Sequence, residues 1–80
     1  MTKEQIKEQL VAAIRESVWI ADDLEINMDS HFINDLNFDS IDFPEALIKA
    51  ENTFGVSISD EEAENINTVG DLVSLIESKL

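Results

Sequence analysis

Phe32-Ile33-Asn34-Asp35-Leu36-Asn37-Phe38-Asp39-Ser40-Ile41-Asp42 joins two kinds of sequence. On its C-terminal side Phe43, Leu47, Ala50 and Phe54 recur at spacings of three and four, which places them on one stripe of a helix. The spacing predicts a helix over 40–54, with Gly55 as its stop. Pro44 falls close to the start, where it removes a backbone donor and crowds the carbonyl of Ser40, so a distorted first turn is expected. On the N-terminal side, residues 19–39 keep no sustained period and read as a loop. Loops of this length either carry function or fold down on their own apolar side chains. Ile26, Phe32, Ile33, Leu36 and Phe38 are the candidates for folding down, and Trp19 and Met28 read as core or loop-packing residues.

Further out, the pattern is helical again. Ile6, Leu10, Ala13, Ile14 and Val18 predict a first helix from Thr2 to about Val18, opened by a capping box of Thr2 and Gln5. Beyond Gly55, Val56-Ser57-Ile58 reads as a short extended connection. Ser59 with Glu62 makes a second box for a brief helix through Ile66. Thr68 with Asp71 is an acidic variant that opens a last helix, with Val69, Leu72, Val73, Ile76 and Leu80 facing the core. The expected fold is all-α: a small four-helix bundle with a long loop between helices 1 and 2 and a short third helix, as a single domain over 1–80.

Composition restricts what such a bundle can do. The 80 residues hold 5 Lys+Arg against 18 Asp+Glu, a formal charge of −13, with 44% hydrophobic residues and no cysteine. Nucleic acid is a poor partner for this balance, because phosphate binding rests on Lys and Arg. Anionic membranes are disfavoured for the same reason. No apolar run approaches the roughly 20 residues of a bilayer span, and the N-terminus lacks the apolar core of a signal peptide. A cytoplasmic monomer is the expectation. The acids are unevenly placed: residues 16–48 contain nine Asp or Glu and no Lys or Arg, and residues 50–78 contain seven more with no base. A field of that sign steers basic surfaces into encounter and weakens with salt. No window has the glycine and terminal glutamate of a calcium-binding loop, so no metal site is expected beyond loose divalent-ion attraction. His31 reads as a surface or capping residue.

The segment 32–42 carries a more specific signal. Asp39-Ser40-Ile41 resembles the prosthetic-arm signature of the acyl carrier proteins, a serine after an aspartate and before Leu or Ile. The resemblance extends upstream to Phe32, Asp35 and Leu36. Downstream it includes Glu45, Glu51, Phe54, the run Ile58-Ser59-Asp60-Glu61-Glu62-Ala63-Glu64 and then Ile66-Asn67-Thr68-Val69, so that it spans essentially the whole chain. It implies a bundle of acyl-carrier-protein type that performs no chemistry itself. A phosphopantetheinyl transferase would join 4'-phosphopantetheine from coenzyme A to Ser40, with Asp39 as the flanking motif residue, and the arm would hold acyl groups as thioesters. The residues agree with a non-enzyme, since a serine nucleophile needs a base and the lone His31 has no partner to complete a site. Read without the resemblance, Ser40 or Asp39 would merely cap the second helix.

The resemblance also implies docking of basic partner surfaces, those of acyl-loading and acyl-processing enzymes, on the second helix. Carried over by position, Asp39, Asp42, Glu45 and Glu51 are the acidic candidates and Ile41 and Ile48 the apolar ones. Phe43-Pro44, Lys49, Ala46 and Ala50 depart from the common pattern. The alanines either enlarge an internal cavity or are compensated by Phe43, Leu47 or Trp19. These departures suggest a carrier for a dedicated pathway rather than for general fatty-acid synthesis. An aminoacyl or peptidyl carrier of the same fold, and an acidic helical interaction module with no arm, stay open as alternatives.

Overall fold

A computed structural model describes residues 1–80. Four helices follow one another: α1 (Lys3–Ser17), α2 (Asp42–Phe54), α3 (Asp60–Glu64) and α4 (Val69–Lys79). All three expected capping boxes form. Thr2 Oγ1 accepts the Gln5 N–H at 3.2 Å while Gln5 Oε1 accepts that of Thr2 at 2.9 Å. Ser59 and Glu62 exchange the same pair of bonds at 3.1 and 3.0 Å, as do Thr68 and Asp71. Each box satisfies N–H groups that the first turn of a helix leaves without partners.

α1 is the centre of the bundle, with α2 and α4 both packed against it. Its stripe of Ile6, Leu10 and Ile14 meets Leu72, Val73 and Ile76 of α4 in one core, where all six are essentially sealed from water. Ala46 and Ala50 are the fully buried residues of α2, and small side chains at these positions let the helix backbone lie close. Phe43 and Leu47 pack against the core beside them. No helix is long and apolar enough to cross a membrane.

The chain between α1 and α2 is a loop, as expected, and it folds down on Ile26, Phe32, Leu36 and Phe38, all buried. The ring centroid of Phe32 lies 5.6 Å from that of Phe38 and 5.4 Å from that of Phe43, which ties the loop to α2 through aromatic contact. Two further devices hold it. The Arg15 guanidinium donates to the carbonyls of Ile20, Ala21 and Leu24 at 3.0–3.5 Å. At the other end, the loop lies over the start of α4: Ser30 O accepts the Val69 N–H at 2.9 Å, Met28 O accepts the Gly70 N–H at 2.8 Å, and the Phe32 N–H donates to Asn67 O at 3.0 Å. A single antiparallel bridge pairs His31 with Thr68.

Several expectations are corrected. α2 begins at Asp42, not Ser40, because Pro44 has no N–H to give the Ser40 carbonyl. α3 ends at Glu64, two residues early, with Asn65 as its cap. Leu80 is exposed, since α4 stops at Lys79 and none of the other three helices packs over the residue that follows. Ile33 points outward from the tight turn over 32–36, which Asn37 closes in the left-handed conformation at φ 58°. Trp19 is 86% exposed and packs on nothing in the core. Val18, its predecessor, leaves α1 in extended backbone, and alternation then turns Val18 and Ile20 inward and Trp19 outward. Met28 is partly buried against the core, as its reading required.

Candidate functional site

The start of α2 is organised by Asp39. Its Oδ1 accepts the N–H of Ile41 at 2.8 Å and of Asp42 at 2.9 Å, and Asp42 Oδ2 accepts the Asp39 N–H at 3.2 Å in return. The reciprocal pattern is that of a capping box, but it closes the turn that leads into α2; the N-cap position of the helix itself is Ile41, which has no side-chain cap. Donation from the Asp42 and Ile41 backbone holds the Asp39 carboxyl below the usual carboxylate range. A carboxylate held ionised in this way is a poor proton acceptor.

Ser40 sits inside that box and takes no part in it. The residue is exposed, and its hydroxyl has no hydrogen-bond partner in the chain. Holding this turn therefore falls to Asp39. Pro44 contributes as expected: the first turn is loose, with a 3.4 Å bond from the Phe43 N–H to Asp39 O, and regular bonding resumes with Glu45 donating to Ile41 O at 3.2 Å. The serine is thus fixed by its neighbours' backbone and open to another molecule.

Along α2, Ile41 is 67% and Ile48 56% exposed, with the exposed Glu45 between them and the half-buried Asp42 beside them. Glu51 is turned inward: its Oε2 accepts the Ile58 N–H at 2.8 Å, closing the chain after Gly55. Gly55 itself adopts φ 67°, the left-handed conformation in which its N–H and that of Val56 both reach Glu51 O. Lys49 pairs with Glu16 across α1 and α2 at 3.1 Å, so this base braces two helices. Ala46 and Ala50 are compensated by Phe43 and Leu47, and not by Trp19.

His31 caps the turn that leads to the site. Its Nδ1 accepts the N–H groups of Ile33 and Asn34, both at 3.1 Å, and Asp35 Oδ2 accepts the His31 N–H at 2.7 Å. Both side chains are engaged with backbone. No three His, Asp or Glu side chains gather where they would hold a metal ion. A bond such as that of Arg15 to the Leu24 carbonyl, nine residues on, has no local signature in the sequence.

Comparison with known proteins agrees with this layout. The family described as phosphopantetheine attachment site matches residues 8–76. The chain belongs to the acyl carrier protein family. The acyl carrier protein of Coprothermobacter proteolyticus is 39% identical over 80 residues, covering 100% of this chain and 96% of the relative. That of Exiguobacterium sibiricum is 41% identical over 80 residues and covers both chains completely. That of Lactobacillus johnsonii is 44% identical over 78 residues, 98% of this chain and 96% of the relative. As an acyl carrier protein the chain is a non-catalytic carrier whose prosthetic group is 4'-phosphopantetheine, installed by a phosphopantetheinyl transferase and served by enzymes that act on acyl groups.

Proposed function

We propose that Ser40 is the residue that carries the arm. The observation that supports it is the division of labour in the turn before α2: Asp39 accepts the N–H groups of Ile41 and Asp42, which leaves the Ser40 hydroxyl exposed and free of internal hydrogen bonds. In the loading step the Ser40 oxygen displaces the adenosine bisphosphate half of coenzyme A from the phosphopantetheinyl phosphorus, and the serine proton leaves to a base of the transferase. The arm, once attached, supplies a terminal thiol that holds an acyl group as a thioester.

The chain's own residues then present the cargo. Ile41, Asp42, Glu45 and Ile48 form an acidic face with exposed apolar side chains, suited to a basic partner surface with an apolar centre. Glu51 lies at its far end with one oxygen engaged by Ile58. Fatty-acid, polyketide or other acyl units are all compatible with this face, because the loading enzyme selects the cargo. Phe43 and Lys49 have roles inside the fold, so a dedicated pathway rests on them less than their sequence positions suggest.

Intact mass after incubation with coenzyme A and a broad-specificity phosphopantetheinyl transferase tests the assignment. The wild-type chain should gain one phosphopantetheinyl group. Ser40→Ala should gain none and keep the helical circular dichroism of the wild type. A mass gain that survives the substitution overturns Ser40 as the attachment residue.

A further inference from the structure

Trp19 is the chain's only tryptophan, and it is 86% exposed while Val18 and Ile20 on either side are buried. It stands at a cleft of about 570 Å³ between the exit of α1, the turn that follows Phe32 and the start of α2. The cleft has an apolar floor that includes Ile20, Leu24 and Leu36. Its acids are Asp23, Asp35 and Asp42.

These carboxylates are not neutralised from within. None of them forms an ion pair. One oxygen of Asp35 accepts the His31 N–H and one of Asp42 accepts the Asp39 N–H, but the second oxygen of each takes no donor from the chain, and Asp23 takes none at all. The bases that flank the acidic stretch are engaged elsewhere, Arg15 on three loop carbonyls and Lys49 on Glu16. The complement of an apolar floor, an exposed indole and free carboxylates is a side chain with an apolar stem and a cationic, planar head. Arginine is that side chain: its stem covers apolar surface, its guanidinium lies over an indole face, and its fork matches carboxylate oxygens.

Position selects the owner of the arginine. Asn37 and Asp42 both line the cleft, and Ser40 lies between them in the chain, so an enzyme that reaches Ser40 also covers the cleft. A shallow hollow lined by Ser17, Glu45, Ile48, Lys49 and Asn52 lies between the end of α1 and the face of α2, its base already paired with Glu16. We propose that the Trp19 cleft is a second docking element, receiving an arginine from the basic surface of the phosphopantetheinyl transferase that loads this chain. The proposal rests on the reading of Ser40 as the attachment residue.

A chain labelled with 5-fluorotryptophan gives one fluorine resonance, since Trp19 is the only tryptophan. Adding a broad-specificity phosphopantetheinyl transferase without coenzyme A should shift or broaden that resonance saturably. Trp19→Ala should raise the KM for loading about tenfold with kcat little changed, as expected for an aromatic anchor in an interface, and Trp19→Phe should fall between. Asp23→Asn should flatten the salt dependence of kcat/KM. An unmoved resonance in a complex that calorimetry detects, with loading kinetics unchanged in Trp19→Ala, overturns the proposal. So does a resonance that moves on acylation of the arm with no transferase present, which assigns the cleft to the chain's own cargo. A shift that follows the chain's own concentration assigns it to a second copy and overturns the proposal too. The Ser40→Ala chain should still show the fluorine shift, so failure of the attachment reading and failure of this one are separable.

Discussion

The starts of α2 and α4 are built from the same parts. In one, Asp39 and Asp42 exchange side-chain and backbone bonds; in the other, Thr68 and Asp71 do so, with Asp71 Oδ2 also accepting the Asn67 N–H at 2.9 Å. The difference lies in what covers them. At α4 the N–H groups of Val69 and Gly70 go to loop carbonyls and Val69 is sealed in the core. At α2 no distant segment hydrogen-bonds the backbone of the first turn, and Ser40 and Ile41 stand in solvent. Capping fixes the backbone in both places. Whether a helix start anchors the fold or displays a residue depends on whether a second stretch of chain reaches its remaining donors.

Gly70 is where this contrast breaks most severely. A Cβ there would lie 2.9 Å from the carbonyl oxygen of Met28, a backbone atom that cannot rotate away. Helix propensity alone favours Ala over Gly by about 1 kcal/mol, so a substitution that helped would show the start of α4 to be free of the loop. Gly70→Ala is instead expected to destabilise by about 1–3 kcal/mol in urea unfolding, because the loop must retreat and give up its bond to residue 70. The caps come next. Thr68→Ala should cost about 1 kcal/mol of stability and leave the rate of arm attachment unchanged. Asp39→Ala should lower the melting temperature less and slow attachment, since the turn that holds Ser40 loses its acceptor. Equal slowing in both variants would mean that the two starts do not differ in use.

The contrast also separates what could be read in the chain from what could not. Capping boxes are local, three residues apart, and all three expected ones formed. The residue types Asp39 and Ser40 are both good caps, and only the geometry shows that neither takes the N-cap position of α2: Asp39 holds the turn before it and Ser40 stays free. Trp19 and Ile33 depart from expectation for another reason. The direction of Trp19 follows from where α1 gives way to extended backbone and that of Ile33 from the turn that His31 and Asn37 close, and neither change of backbone has a sustained period to mark it. Leu80 fails at the opposite limit, where a correct stripe runs past the last residue that another helix covers.

The smallest effect tests whether both starts depend on charge. Asp71 is held below the usual carboxylate range mainly by the Asn67 and Thr68 N–H groups, and Asp39 by those of Asp42 and Ile41. A carboxyl depressed in the folded state stabilises fully above its unfolded pKa, near 4, and loses that contribution as pH falls through the lower folded value. Asp71→Asn keeps an acceptor but removes the charge. Its melting temperature should therefore lie below the wild type by a constant margin from pH 7 down to about 5, and the margin should close below about pH 4 as Asp71 protonates in the wild type. Acid also neutralises the other carboxylates of a chain at −13, which acts on both proteins alike and cancels in the difference. Asp39→Asn should show a margin that closes over the same range. A margin that persists into acid at either site would mean that the shape of the amide, and not the lost charge, disturbs that helix start.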